Sequence, residues 1–166
     1  EKSRRLATVY MTGEDGKARR APDGARGQGH YVTGPRRSFS GGAGLVSTAR
    51  DYARFLQMLL NRGELDGTRI LSKKAVDEMT KNQVDELYSE DGLGFGFGFE
   101  TAEREGAWGS FPEGTYGWGG AYGSRYVVVP EERMVIVLLF QLVPNGTDFR
   151  EAIPDLVYRA LATPGE

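Results

Sequence analysis

Hydrophobic residues recur every three or four positions after Thr48, and this spacing predicts a helix with one apolar face. That face comprises Ala49, Tyr52, Ala53, Leu56, Leu59 and Leu60. Thr48 and Asp51 form a capping box at the start of the helix, and Gly63 supplies a stop signal at its end. We therefore predict a helix between Thr48 and Gly63.

A tight turn and a second helix are predicted next. Asp66-Gly67 lies between two short apolar stretches, as in a hairpin turn. Ser72 can then cap a helix by accepting a backbone hydrogen bond. The buried side of this second helix comprises Ala75, Val76 and Met79. The pattern predicts a helix, hairpin, helix unit.

The second half of the chain contains strand patterns. Phenylalanine alternates with glycine over residues 93–99, so one strand would carry three phenylalanines on one face and leave the other face bare for close packing. Those phenylalanines are Phe95, Phe97 and Phe99. Residues 125–129 and 134–141 are apolar and rich in β-branched residues, and residues 130–133 join them. They predict a central antiparallel hairpin with both faces buried.

The two ends of the chain have different patterns. Residues 6–11 alternate weakly as a short strand, and residues 12–39 are rich in Gly, Pro and Arg, which indicates a long surface loop. A closing helix is predicted near the C-terminus, with Pro154 at a kink or at its start. Its apolar side comprises Phe149, Ala152, Ile153, Leu156, Val157, Ala160 and Leu161. This order of elements predicts a single α+β domain over residues 1–166, with an antiparallel sheet packed by helices.

Composition excludes several classes of function. The 21 basic residues nearly balance the 23 acidic ones, so bulk charge predicts no binding to nucleic acid or to an anionic membrane. The longest apolar run, residues 134–140, is too short to span a bilayer. With no cysteine and one histidine, we predict no metal and no cofactor. The lack of cysteine is compatible with a secreted, periplasmic or cytoplasmic location.

No nucleophile motif is found in the chain. A serine hydrolase needs a base beside its serine, and neither Ser-x-x-Lys nor Gly-x-Ser-x-Gly occurs in the 166 residues. A Ser-His-Asp triad would have to use His30, the only histidine, which lies in the glycine-rich early stretch. We therefore expect no catalytic residue in this chain, and a self-contained hydrolase that uses His30 is the least favoured hypothesis.

Two motifs carry a resemblance to a known family. Residues 40–48 read Ser-Gly-Gly-Ala-Gly-Leu-Val-Ser-Thr, and residues 116–123 read Tyr-Gly-Trp-Gly-Gly-Ala-Tyr-Gly. Together they resemble the serine hydrolases that include class C β-lactamases, penicillin-binding proteins and family VIII esterases. Similar stretches in the same order extend the resemblance to about residues 40–161, and they are residues 63–67, 93–98, 129–131 and 134–137. Residues 1–39 fit that family loosely.

The resemblance implies an active-site edge. In that family the third active-site motif lies on a strand beside the site, and Trp118-Gly119-Gly120 takes its place here. The Ala121 N–H would then donate to the carbonyl oxygen of the transition state. Tryptophan instead of lysine offers an apolar wall and favours esters over carboxylate-bearing β-lactams. Further candidates near this motif are Tyr116, Tyr122, Arg125 and Arg150, and the two arginines are expected at the surface.

The resemblance also implies that the catalytic serine, lysine and tyrosine motifs lie before Glu1. We therefore expect a C-terminal fragment that supplies the oxyanion edge and is inactive alone. Its expected partners are the missing N-terminal half, a second copy of itself and, in the complete enzyme, a small-molecule ester or β-lactam. The alternative is a non-catalytic binding or interaction module on the same scaffold.

Overall fold

The computed structural model describes residues 2–25, 27–31, 34, 37, 41–42, 44–88 and 91–162. Its helices are α1 (Ala49–Leu60), α2 (Lys73–Met79) and α3 (Phe149–Ala162), with single 3₁₀ turns at Lys2–Arg5 and Asp85–Leu87. Its strands are β1 (Tyr10–Thr12), β2 (Ala18–Arg20), β3 (Glu64–Leu65), β4 (Thr68–Arg69), β5 (Leu93–Phe95), β6 (Glu100–Ala102), β7 (Tyr116–Gly119), β8 (Arg125–Val129) and β9 (Met134–Leu138). Ser40 and Ala43 of the first motif lie outside the described residues.

Five strands form one antiparallel sheet in the order β5-β6-β7-β8-β9. The strands β1 and β2 form a separate hairpin, and so do β3 and β4. Helix α1 packs against β9 on one face of the sheet, and α3 packs against β8 and β9. The predicted α+β fold is confirmed. No helix among the described residues is long and apolar enough to cross a membrane.

Helix α1 begins and ends as its sequence predicts. The Thr48 side chain accepts a hydrogen bond from the Asp51 amide at 3.1 Å, which satisfies one of the free N–H groups of the first turn. At the other end, the amides of Arg62 and Gly63 donate to the carbonyls of Leu59 and Met58, both at 2.8 Å. Arg62 takes the left-handed conformation, with φ of 56°, so the stop involves Arg62 as well as Gly63.

The apolar face of α1 forms the first core of the protein. Leu56 is completely buried, and Leu59 and Met58 are nearly so. The other buried members of this core are Val76, Phe99, Tyr116 and Val128. Residues of α1, of α2, of the strands β7 and β8 and of the turn before β6 thus pack in one cluster, because the spacing of apolar positions in α1 turns one stripe toward the sheet.

The predicted hairpin and second helix are confirmed. Asp66 and Gly67 both have positive φ, at 50° and 76°, which is the requirement of the two-residue turn between β3 and β4. Ser72 caps α2 by accepting from the Ala75 amide at 3.0 Å. Val76 is the buried residue of α2.

The single strand predicted over residues 93–99 is wrong. Strand β5 ends at Phe95, the Gly96 amide donates to the Phe99 carbonyl at 2.7 Å, and the chain turns back into β6. Gly98, with φ of +92°, permits this turn, and it leaves Phe97 61% exposed while Phe99 is buried. The predicted close packing is confirmed, because a Cβ on Gly96 would lie 2.3 Å from the Met79 carbonyl oxygen.

The hairpin of β8 and β9 is confirmed, but it is not central. Its register runs from Arg125 opposite Leu138 to Val129 opposite Met134. Strand β8 is buried on both faces, whereas β9 is half-buried and has β8 as its only strand neighbour among the described residues. The expectation of two buried faces therefore holds for β8 alone.

Helix α3 is present with Pro154 inside it, yet its predicted buried side is wrong. Phe149, Leu156 and Leu161 are exposed by more than half. Pro154 is fully buried instead, and Tyr158 one turn later packs on Phe111 with ring centroids 5.0 Å apart. This side of α3 covers a second core, which comprises Ala102, Trp108, Phe111, Val127, Val129 and Ile136.

The early part of the chain contains more order than predicted. The short strand lies at Tyr10–Thr12 rather than over residues 6–11, and β2 lies within the predicted loop. The Tyr10 amide donates to the Gln141 carbonyl at 2.7 Å, and the Val143 amide donates to the Tyr10 carbonyl at 2.9 Å. These bonds hold the first hairpin beside the segment that follows β9.

Candidate active site

The predicted motif lies at the end of β7. Strand β7 ends at Gly119 and leads into a turn closed by a 2.9 Å hydrogen bond from the Gly123 amide to the Gly120 carbonyl. The Gly120 amide donates to the Ser124 carbonyl at 2.8 Å, on the side of β8. Because backbone groups of successive strand residues point to opposite edges, those of Gly119 face the outer edge of β7, and Ala121 follows in the turn.

This outer edge is open at the motif. Strand β6 pairs with β7 only at Tyr116 and Gly117, because the chain turns away before Glu100. Ala121 is exposed, and no group among the described residues accepts a hydrogen bond from its amide. The turn after β7 thus presents an unused backbone N–H to the solvent, as an oxyanion donor requires.

Trp118 forms part of an apolar cavity beside this edge. Its ring is 39% exposed and packs edge-on against Phe95, with centroids 4.8 Å apart. The cavity measures about 310 Å³, and its lining residues are Val84, Leu87, Tyr88, Phe95 and Trp118. The Tyr88 hydroxyl donates to Glu100 Oε1 at 2.9 Å. Burial and the Glu100 carboxylate raise the pKa of Tyr88 to about 12. The hydroxyl therefore stays protonated, and its O–H is occupied by the hydrogen bond to Glu100.

Two further tyrosines flank the motif. Tyr116 lies in the first core, where burial raises its pKa, and its ring packs edge-on against Phe99 at 5.4 Å. Tyr122 lies in the turn after β7, and its hydroxyl is 3.1 Å from that of Tyr31. This hydrogen bond raises the pKa of Tyr31. The early loop therefore contacts the turn that carries Ala121.

The tripeptide Tyr122-Gly123-Ser124 has the form Tyr-x-Ser, although the family resemblance implied that the tyrosine motif lies before Glu1. Both Tyr122 and Ser124 form hydrogen bonds with the segment after β9. The Ser124 hydroxyl donates to the Phe140 carbonyl at 3.3 Å, while the Tyr122 carbonyl accepts from the Leu142 amide at 3.1 Å. The tripeptide thus connects the turn after β7 to the segment after β9.

Arg125 is not a surface residue, so its predicted exposure is wrong. It is 4% exposed, and Nη2 lies 3.3 Å from both Glu100 Oε2 and Glu151 Oε2. Its guanidinium carbon lies 4.2 Å from the centre of the Trp108 ring, a cation–π contact. Strand alternation could have revealed this, since Arg125 shares its face of β8 with the buried Val127 and Val129.

Arg150 contacts the motif. Its Nε pairs with Glu151 Oε1 at 3.2 Å on α3, and the side chain is partly exposed. A Cβ on Gly119 would lie 3.4 Å from the Arg150 guanidinium carbon. The absence of a side chain at Gly119 thus lets a cation lie against the backbone of β7.

No catalytic serine arrangement is found in the described part of the chain. His30 is exposed, and no described side chain forms a hydrogen bond or ion pair with it. No described serine hydroxyl hydrogen-bonds a lysine, and no group of three or more potential metal ligands lies together among the described residues.

One known protein family matches nearly the whole chain. The family model described as "Beta-lactamase" matches residues 1–160, which includes the residues 1–39 that fit the resemblance only loosely. Two curated Mycobacterium tuberculosis proteins, "Protein Rv1367c" and "Uncharacterized protein MT1414", are each 35% identical over 156 residues. The match covers 86% of this chain and 37% of each relative, so the chain spans a little over a third of their length.

Solved structures share the fold. EstCE1, described as "a hydrolase with promiscuous acyltransferase activity", has a TM-score of 0.74 and 26% identity, over 92% of this chain and 43% of its own. Unliganded LovD from Aspergillus terreus, described as a simvastatin synthase, has a TM-score of 0.71 over 98% of this chain and 44% of its own. At 18% identity, the second likeness shows the fold alone.

Proposed function

The chain belongs to the beta-lactamase family and has the fold of its hydrolases, and from that membership we propose that it supplies the oxyanion edge of a serine esterase. The Ala121 amide carries the proposal, since it is exposed, unused among the described residues, and placed where β6 leaves the edge of β7 open. An amide held in this way donates to the oxygen of a tetrahedral intermediate without reorganisation.

Trp118 supports an ester rather than a carboxylate-bearing substrate. Its ring and the cavity beside it are apolar, and such a wall binds uncharged groups. Arg150 is a cation that lies against the motif. The Glu151 carboxylate that pairs with it offsets its attraction for a substrate carboxylate. The similarity to EstCE1, described as a hydrolase with acyltransferase activity, is consistent with an acyl-enzyme route.

The proposed reaction needs a serine and a base from outside these 166 residues, because no Ser-x-x-Lys occurs in them. The serine oxygen would bond to the ester carbonyl carbon while the base takes its proton. The carbonyl oxygen would become an oxyanion held by the Ala121 N–H, the alcohol would leave with that proton, and water would hydrolyse the acyl-enzyme. This chain alone is expected to be inactive.

Complementation tests the proposal. The purified chain is incubated with p-nitrophenyl butyrate and with nitrocefin, alone and with a separately made N-terminal half of a family member that contains Ser-x-x-Lys. Analytical ultracentrifugation verifies that the two parts associate. We expect hydrolysis of the ester only after mixing, and none when the added serine is replaced by alanine.

Other outcomes would contradict parts of the proposal. Activity of the chain alone would mean that it contains a nucleophile. Faster hydrolysis of nitrocefin than of the ester would assign the site to β-lactams. An associated pair that neither hydrolyses either substrate nor reacts with a fluorophosphonate probe would support a non-catalytic binding module.

A further inference from the structure

An apolar cavity lies beside the proposed oxyanion edge and has no role in oxyanion stabilisation. We infer that this cavity binds an uncharged alkyl chain of the ester, so that the site prefers esters with a long alkyl group. The inference rests on the proposed function, because it assigns the cavity to the same substrate. Trp118 is the wall shared by the cavity and the edge.

The walls come from three parts of the chain. Val84, Leu87 and Tyr88 belong to the 3₁₀ turn and its flanks, Phe95 to β5, and Trp118 to β7. At about 310 Å³, the cavity has the size of a small-molecule site. Leu87 is 93% exposed, so an alkyl chain in the cavity would cover an apolar side chain that the described part of the protein leaves in water.

The polar group in this wall is already occupied. Tyr88 donates to Glu100 at 2.9 Å, and Glu100 pairs with the buried Arg125 at 3.3 Å. The Glu100 charge is thereby compensated within the protein, and the Tyr88 ring is held by its hydroxyl. A ligand group that must accept a hydrogen bond gains none from Tyr88, because its one O–H already donates to Glu100, whereas an alkyl chain needs none.

Charge near the cavity also favours an uncharged ligand. Asp85 and Glu86 are exposed and precede Leu87 in the same 3₁₀ turn. Two carboxylates beside Leu87 oppose the approach of a carboxylate ligand such as a free fatty acid. A neutral ester therefore fits the cavity better than a free fatty acid does.

The separation between the cavity and the proposed oxyanion donor favours a long alkyl group. Trp118 lines the cavity, and Ala121 lies three residues later, in the turn beyond β7. We therefore expect an ester whose carbonyl oxygen accepts from Ala121 to reach the cavity with an alkyl chain of several carbons, and not with a methyl group. The alkyl chain could belong to the acyl side or to the alcohol side of the ester.

Binding to the chain alone tests the inference without catalysis. The probes are methyl octanoate and octyl acetate, with methyl acetate as the short control, and the readout is the indole NMR signal of Trp118, assigned with Trp118→Phe. We expect both octyl probes to shift this signal while the buried Trp108 signal stays unchanged. Leu87→Asp should weaken binding of both probes at least tenfold.

Leu156→Asp is the matched control, because Leu156 is an exposed leucine on α3 that does not line the cavity. It should leave the binding of both octyl probes unchanged. No shift with either octyl probe, or equal binding by Leu87→Asp and the unaltered chain, would overturn the inference. Because both leucines are exposed, neither change should unfold the protein.

The assembled hydrolase then distinguishes the two sides of the ester. If the cavity takes the acyl side, Leu87→Asp lowers kcat/KM about tenfold for p-nitrophenyl octanoate and not for p-nitrophenyl acetate. If it takes the alcohol side, the loss appears with octyl acetate instead. Hydrolysis of p-nitrophenyl acetate without octyl binding would overturn this inference alone. Octyl binding without hydrolysis in any associated pair would overturn the proposed function and leave an apolar binding site.

Discussion

The two faces of the five-stranded sheet are stabilised in different ways. On the face covered by α1, the main buried cluster is apolar or aromatic, with Leu56, Leu59 and Val128 almost without exposure. On the face covered by α3, an apolar cluster lies beside the buried Arg125 and its two glutamates. The first face owes its stability to hydrophobic burial, and the second also depends on charges that must remain paired.

The polar network of the second face connects the candidate site to α3. Tyr88 in the cavity wall donates to Glu100, which pairs with Arg125. Arg125 also pairs with Glu151, which pairs in turn with Arg150 against Gly119. The cavity wall and the backbone of the motif are therefore tied to the same network.

Breaking the charged pair should give the largest effect. In Arg125→Met the largely buried Glu100 loses its cationic partner, and we expect a loss of about 3–5 kcal/mol in the free energy of unfolding, measured by urea denaturation. Adding Glu100→Gln should restore part of this loss, because no buried charge is then unpaired. A single variant that loses less than about 1 kcal/mol would show that the network contributes little.

Truncating one leucine on α1 and one on α3 tests whether the two helices bury their apolar residues to different extents. Leu59→Ala on α1 should cost about 2–5 kcal/mol of unfolding free energy, because it leaves a cavity in the first core. Leu156→Ala on α3 should change it by about 0.5 kcal/mol or less, because Leu156 is exposed. Urea denaturation measures both. Similar losses in the two variants would mean that α3 buries its predicted apolar side in solution.

Alkaline titration should give the smallest effect. Burial and Glu100 raise the pKa of Tyr88 from 10.0 to about 12, and burial raises those of Tyr116 and Tyr126 further. A raised pKa adds stability that is complete below pH 10.0 and is lost as pH rises toward the folded pKa. Unfolding free energy should therefore fall between about pH 10 and 12, and less steeply in Tyr88→Phe. An equal fall in that variant would contradict the assignment to Tyr88.

The difference between the faces also explains which structural predictions from sequence succeeded. Helix α1 could be predicted because Thr48 and Gly63 mark its ends locally and its partner strands are in the chain. The buried side of α3 could not, since its apolar residues meet no cover in the described part of the chain, and Pro154 and Tyr158 make the contact instead. Periodicity predicts a face only when the partner surface is present.

In the candidate site, too, some features could be predicted from the sequence and others could not. The family resemblance implied that Trp118-Gly119-Gly120 lies on a strand. That the strand ends at Gly119 and that its outer edge is open there followed only from the structure, because the open edge depends on where β6 stops. Tertiary contacts decided the rest. The apolar cavity gave no sequence signal, since Val84, Leu87 and Tyr88 have no regular spacing with Trp118.

Replacing Ala121 by proline in the assembled hydrolase tests whether the Ala121 amide stabilises the oxyanion. Ala121 is the second residue of the turn from Gly120 to Gly123, a position that favours proline, so Ala121→Pro removes the N–H and keeps the turn. Ala121→Ser, which keeps the N–H, is the control.

The measurement is kcat with p-nitrophenyl butyrate, together with the melting temperature of each variant. We expect kcat to fall about 10²–10³-fold in Ala121→Pro with an unchanged melting temperature, and that of Ala121→Ser to stay near the value of the unaltered protein. A proline variant that keeps its activity, or a serine variant that loses as much as the proline variant, would contradict the role of the Ala121 amide.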